Sequence, residues 1–152
     1  MEKVFITKSP EQTKKLGEIF AKVFQKLMFK NQALVLGLEG DLGGGKTTFV
    51  QGFARGLKIK EKILSPTFIL IKKFDIKYQT FSFKHFYHID CYRIEDPKEI
   101  LNLDFKKIIN DPKNVVLIEW ADKIQKILPK KTFFLKFEFL GRKKRRISFY
   151  LK

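Results

Sequence analysis

A short stretch of the chain, Gly40–Thr47, combines glycines, a lysine and a threonine at a spacing suited to binding phosphate. It reads Gly-Asp-Leu-Gly-Gly-Gly-Lys-Thr and satisfies the pattern G-x-x-x-x-G-K-[ST]. Glycines allow backbone angles that turn successive N–H groups inward, and the result is a concave site for oxyanions. We expect Lys46 to reach the outer phosphates of a nucleotide and the Thr47 hydroxyl to ligate Mg²⁺.

Two acidic residues further along the chain are candidates to act on a bound phosphate or its metal ion. Glu119 follows the apolar run Val115–Ile118, and the carboxyl end of a strand is where open α/β sheets bind ligands. Asp90 shares one face of an extended segment with His88. The residue pattern alone leaves this second segment open between a catalytic strip at a metal–phosphate centre and a salt-bridge cluster at a strand end.

The elements around the glycine-rich stretch are those that a phosphate loop requires. Ala33–Leu38 is almost entirely apolar, as expected of a buried parallel strand, and Lys46–Leu57 is predicted to be the following helix. An earlier helix is predicted from Pro10 to Phe29, capped by Ser9. Its apolar residues recur at helical spacing at Leu16, Ile19, Phe20, Val23, Phe24 and Leu27. Further strands are predicted at Thr67–Phe74, Thr80–Asp90, Val115–Ile118, Thr132–Leu140 and Arg145–Leu151, and short helices at Asp96–Leu101 and Asp104–Ile109.

These elements predict a single α/β domain spanning residues 1–152 around a mixed sheet, with the last two strands antiparallel and joined at Gly141. The chain is 44% hydrophobic and contains 17 phenylalanines, which makes disorder an unsuitable description. No apolar run approaches the roughly 20 residues that cross a bilayer. The single cysteine, Cys91, has no internal disulfide partner, so a cytoplasmic location and no membrane partner are expected.

The net charge of +16 raises the local concentration of polyanions near the protein, such as nucleotide, RNA or an acidic protein surface. Lysines are scattered through every segment, so a general lysine bias is the alternative explanation of the charge, and the net charge alone does not identify a partner. The five consecutive basic residues Arg142–Arg146 leave open a contact with tRNA or a solvated hairpin edge. Thr67, after the helix predicted to follow the loop, is a further candidate to touch a γ-phosphate or its metal shell.

Four blocks, in this order, resemble the TsaE family, also called YjeE, of bacterial tRNA threonylcarbamoyladenosine biosynthesis. They are Gly40–Phe49, Ser65–Phe68, His88–Arg93 and Ile118–Trp120, and with similar ends the resemblance spans nearly the whole chain. It implies a three-layer fold like that of P-loop NTPases. One departure is Gly44, where the family usually has alanine.

The resemblance also implies a function. Members of the family are ATPases that dock on the TsaD–TsaB heterodimer, which transfers a threonylcarbamoyl group to N6 of adenosine 37 in ANN-decoding tRNAs. The family member is not itself the transferase, and it meets tRNA only through that complex. Its ATP hydrolysis is slow when it is alone and is thought to reset the complex between turnovers.

Site residues carried over by position fall into four groups. The implied ligands of the ATP phosphates are Leu42, Gly43, Gly44, Gly45, Lys46 and Thr47, and those of Mg²⁺ are Thr47 and Glu119. The implied catalytic residues are Lys46, Asp90 and Glu119. Thr48 and Trp120 match positions important to the family's activity, and Arg142 matches a position near the nucleotide. Asp90 would position water or the outer metal shell.

Two other classes of function remain open at this point. A small-molecule kinase uses the same loop, but such enzymes usually carry an arginine-rich lid and an acceptor pocket, and no clear insertion for either is present. An RNA-binding module with a vestigial loop is the other alternative. The intact residues Lys46, Thr47, Asp90 and Glu119 argue against decay of the loop.

Overall fold

The structure, a computed structural model, describes residues 1–65, 68, 70–78 and 81–152. Over these residues the elements in chain order are β1 (Glu2–Thr7), α1 (Pro10–Phe24), β2 (Leu34–Gly40), α2 (Lys46–Gly56), β3 (Ile71–Asp75), β4 (His85–Asp90), α3 (Lys98–Leu101), α4 (Phe105–Asn110), β5 (Asn114–Glu119), a 3₁₀ segment (Ala121–Ile127), β6 (Phe133–Phe139) and β7 (Arg145–Leu151).

All of these strands join one mixed sheet in the order β1-β7-β6-β2-β5-β4-β3. The four central strands β6, β2, β5 and β4 run parallel to their neighbours within that group, while β7 and β3 pair with them antiparallel and β1 pairs antiparallel with β7. Every residue of β5 and the first five of β2 are buried, as the apolar runs predicted. The predicted mixed sheet and the antiparallel terminal pair are both confirmed.

Helices cover both faces of the sheet, which gives three layers. On one face α1 and α2 pack on a core rich in phenylalanine, in which Phe20 contacts Phe49 with ring centroids 5.5 Å apart. On the other face α3, α4 and the 3₁₀ segment cover a smaller core that includes Ile100 and Phe105. This arrangement buries both sides of the central strands and leaves their carboxyl ends free to carry a site.

The first helix starts as predicted but ends early. The Ser9 hydroxyl accepts a hydrogen bond from the Gln12 backbone N–H at 3.2 Å, as expected of a cap, and the Gln12 side chain accepts one from the Lys8 backbone N–H at 2.7 Å. The predicted end at Phe29 is wrong, because the chain turns after Phe24 and places the Phe29 ring 6.0 Å from that of Phe83.

Several other predicted boundaries also differ from the structure. Strand β3 starts only at Ile71 and β4 only at His85, and the predicted starts at Thr67 and Thr80 lie outside the described residues. The 3₁₀ segment was not predicted. Ile19, Val23 and Leu27, expected on the buried face of the first helix, are each about half exposed. None of the helices formed by the described residues is both long and apolar enough to span a bilayer.

Candidate functional site

The glycine-rich stretch forms a loop between the carboxyl end of β2 and the first turn of α2. Gly43 and Gly45 adopt φ values of 76° and 101°, in the left-handed region that favours glycine. Gly45 is the N-cap residue of α2 and has no side chain that could cap the helix, so the peptide N–H groups of the first turn are available to an anion. A Cβ atom at Gly44 would lie 2.9 Å from the Asp41 carbonyl oxygen, which fits the glycine found there.

Lys46, the first residue of α2, is 4% exposed and lies beneath this loop. Its ammonium group donates to the carbonyl oxygens of Gly40, at 2.5 Å, and Asp41, at 2.8 Å. The same Nζ lies 4.2 Å from the centre of the Trp120 ring. Burial lowers the pKa of Lys46, against the opposing effect of nearby carboxylates, of which Glu119 is the largest. A poorly solvated ammonium enclosed by carbonyl oxygens gains strongly from an arriving anion.

Glu119 ends β5 and faces the start of α2 across the cleft. The Thr47 hydroxyl donates to its Oε1 atom at 2.8 Å, and Nε2 of His88 lies 2.6 Å from its Oε2 atom. Glu119 is 3% exposed and His88 is fully buried. The carboxylate is therefore held from two sides, and one of its oxygens is directed at the threonine that was expected to ligate Mg²⁺.

Asp90 ends β4 and lies directly beside Glu119 in the parallel register of β4 and β5. Its Oδ2 atom accepts a hydrogen bond from the Ser65 hydroxyl at 2.5 Å, and its Oδ1 atom accepts from the Tyr92 backbone N–H at 2.8 Å. The Tyr92 and Trp120 rings lie 5.1 Å apart beside the two acids. Two carboxylates therefore face the phosphate loop from adjacent strand ends.

These groups surround one cleft of about 350 Å³. Its lining consists of Leu42, Gly43, Gly44, Gly45, Lys46, Thr47, Thr48, Ser65, Asp90, Tyr92, Glu119 and Trp120. Of the site residues that the family resemblance implies, the structure brings together all but Arg142. Ser65 and Tyr92 were not singled out as ligands, although both lie within the blocks that carry the family resemblance.

Of the candidates within the described residues, Arg142 and His88 do not line the cleft. Arg142 is exposed and is absent from its lining; the arginine of this hairpin that contacts the loop is Arg145, which donates to the Gly43 carbonyl at 3.2 Å. His88 points at Glu119 rather than into the cleft, which corrects the alternative in which it meets a metal–phosphate centre directly. Thr67 lies outside the described residues.

Comparisons with known proteins identify the family to which the chain is similar. A model of the family described as threonylcarbamoyl adenosine biosynthesis protein TsaE matches residues 7–147. The protein of Bacillus subtilis named tRNA threonylcarbamoyladenosine biosynthesis protein TsaE is 38% identical over 143 residues, covering 94% of this chain and 82% of that protein. The protein of the same name from Haemophilus influenzae is 33% identical over 125 residues, covering 82% of this chain and 75% of its own length.

A solved structure is also similar. The crystal structure of YdiB from Bacillus subtilis superimposes with a TM-score of 0.71 and 31% sequence identity, covering 98% of this chain and 84% of that one. The similarity therefore extends over nearly the whole of this chain. The chain belongs to the TsaE family.

Proposed function

We propose that the protein is an ATP-binding, slowly ATP-hydrolysing subunit that assists a TsaD–TsaB complex in forming threonylcarbamoyl-N6-adenosine at position 37 of ANN-decoding tRNAs. The observation that carries the proposal is the buried Lys46 ammonium enclosed by a glycine loop, opposite two carboxylates on adjacent strand ends. The names of the relatives supply the pathway. Because this pathway modifies tRNA, we also propose a cytoplasmic location for the protein.

In this proposal the loop binds the phosphates of ATP. Backbone N–H groups between Leu42 and Thr47 surround the phosphate oxygens, and Lys46 exchanges its carbonyl partners for the β- and γ-phosphates. The Tyr92 and Trp120 rings beside the acids limit the access of water to the phosphate chain. Arg145 supports the loop from outside through its contact with the Gly43 carbonyl.

The residues present also fit Mg²⁺. Mg²⁺ usually keeps several waters and takes phosphate oxygens as ligands, so it needs only one or two protein oxygens. Thr47 and Glu119 would supply the protein oxygens, since they already lie 2.8 Å apart. Bound there, Mg²⁺ neutralises charge on the phosphates. Asp90, held at both oxygens, would orient the attacking water.

Slow turnover by the isolated protein is consistent with this arrangement. Lys46 and Asp90 are both engaged by internal hydrogen bonds, and Leu42, on the loop, is 69% exposed at the cleft. We propose that docking of the partner complex closes this exposed side and speeds hydrolysis.

Calorimetry with ATP and Mg²⁺ tests the proposal. Lys46→Ala is expected to weaken binding by about 2 kcal/mol, or roughly 30-fold, because it removes charge-assisted hydrogen bonds to phosphate. Lys106→Ala, at an exposed lysine on α4, is the matched control and should bind as the wild type does. ATP turnover should be slow alone and should rise when TsaD–TsaB is added.

Two outcomes would replace the proposal. Rapid phosphoryl transfer to a metabolite without any partner would identify a small-molecule kinase. Tight tRNA binding that is indifferent to Lys46→Ala, with no heat from ATP and Mg²⁺, would identify an RNA-binding module with a vestigial loop.

A further inference from the structure

His88 is a fully buried histidine in β4 that does not line the cleft. It lies in register with Leu117 of β5 on one side and Lys72 of β3 on the other, so neighbouring strands enclose it. Its Nε2 atom lies 2.6 Å from Oε2 of Glu119, whereas its Nδ1 atom has no hydrogen-bonding partner among the described residues. Buried polar groups are normally hydrogen-bonded, so the contact with Glu119 explains how this buried position accommodates a histidine ring.

The unpaired Nδ1 atom fixes the role of the ring in that contact. An ionised carboxylate can only accept, so Nε2 must carry the proton and donate it to Glu119. The neutral tautomer with its proton on Nε2 leaves Nδ1 as a bare acceptor and no N–H group unpaired. We therefore assign this tautomer to His88, which makes it a dedicated donor to Glu119.

The hydrogen bond from His88 determines the orientation of the Glu119 carboxylate. With Oε2 bound to His88, Oε1 is left facing Thr47, whose hydroxyl lies 2.8 Å away. Without this donor the Glu119 side chain could rotate about its terminal bond, since such torsions are broad. Hydrogen bonds behind a metal ligand commonly control its orientation, and their loss typically costs about 10- to 100-fold in metal affinity or activity.

We propose that His88 is the positioning residue for Glu119: it directs Oε1 to the Mg²⁺ position beside Thr47 without touching nucleotide. The inference rests on the proposed function, in which Glu119 is a magnesium ligand. It assigns to this buried histidine a role in metal binding, distinct from one in phosphate binding.

The test compares ATP binding by calorimetry with and without Mg²⁺ in His88→Phe, which keeps a ring but removes the donor. Binding in EDTA should stay within about twofold of the wild type, while the gain from Mg²⁺ should fall by about 10-fold or more. His88→Gln, whose amide can donate from a similar position, should restore most of the gain. His85→Phe, at the other histidine of the chain, is the matched control and should leave the gain unchanged.

The outcomes separate this inference from the proposed function. A folded His88→Phe protein with the full Mg²⁺ gain overturns the positioning role. A wild-type protein that gains nothing from Mg²⁺ overturns the proposed metal site instead. In a Glu119→Gln background, His88→Phe should have no further effect on the gain, and an additive loss would contradict an action through Glu119.

A measurement on the wild type covers the case in which His88→Phe does not fold. With only two histidines in the chain, nitrogen-15 NMR can assign both imidazole rings. His88 should show the tautomer protonated at Nε2, and its signals should shift when Mg²⁺ is added to the nucleotide-bound protein. The other tautomer, or signals indifferent to Mg²⁺, would contradict the proposal.

Discussion

Gly52→Ala should destabilise the protein strongly, because at this residue α2 packs directly against the backbone of α1. A Cβ atom at Gly52 would lie 1.9 Å from the Lys14 carbonyl oxygen, and one at Gly17 would lie 2.3 Å from that of Phe49. Ordinary contact begins near 3.4 Å, so the helices would have to separate by about 1.5 Å. Both obstructing atoms belong to helix backbone, which cannot move aside as a flexible side chain can.

The expected size follows from two opposed effects. Alanine in a helix interior is favoured over glycine by up to about 1 kcal/mol. Overfilling a packed interface costs about 1–3 kcal/mol and sometimes more, and here it also pulls Phe53 and Ala54 of α2 away from the core. Because the Cβ atom would lie only 1.9 Å from helix backbone, we take the upper end of that cost, about 3 kcal/mol, and expect a net loss of about 2 kcal/mol in the free energy of unfolding. Because Lys46 begins α2, ATP binding should weaken as well.

Urea denaturation followed by circular dichroism measures this loss. Gly141→Ala is the matched control, since its Cβ atom would find the nearest atom, on Lys144, at an ordinary 3.9 Å. That variant should match the wild type within about 0.5 kcal/mol. A Gly52→Ala protein as stable as the wild type would refute the close approach of the helices and the reasoning built on it.

Two further predictions concern the hairpin and the cysteine. Arg145→Ala should weaken ATP binding several-fold in calorimetry, because it removes the hydrogen bond to the Gly43 carbonyl and the contact of the guanidinium with the Phe139 ring, whose centre lies 4.3 Å away. Arg142→Ala should leave ATP binding unchanged. If Arg142→Ala weakened binding and Arg145→Ala did not, the role first expected of Arg142 would be restored. Burial raises the pKa of the Cys91 thiol from 9.0 to about 12. As pH rises from about 9 towards 12, the thiol therefore ionises in the unfolded state but stays protonated in the folded state, and the free energy of unfolding should fall. Cys91→Ala should flatten that decline in urea titrations, and rapid labelling of the native thiol at pH 8 would contradict the burial.

Local sequence patterns were sufficient to predict the loop and its immediate surroundings. The apolar run before Gly40, the glycines and the first turn of α2 are contiguous in the chain, so their types and spacing specify the strand, loop and helix. The positions of Asp90 and Glu119 at strand ends also followed from the apolar residues that precede them. What these acids do remains a prediction.

Long-range pairing determined the parts that the sequence could not predict. Alternation placed His88 and Asp90 on one face, but only the register of β4 against β5 puts His88 behind Glu119 and Asp90 beside it. The end of α1 is similar, because the apolar spacing continues to Leu27 whereas the helix ends at Phe24 and Phe29 packs against Phe83. Arg145 rather than Arg142 reaches the loop because the pairing of β6 and β7 sets where that hairpin turns.

The cation–π contact between Lys46 and Trp120 allows the site to be followed by fluorescence spectroscopy. Trp120 is the only indole in the chain, and a full positive charge lies 4.2 Å from its centre. A nucleotide that draws the ammonium towards its phosphates would change the electric field across the indole and shift its ultraviolet emission. The protein thus carries a native fluorophore at its phosphate loop, and the filling of the cleft can be followed without a dye or a label.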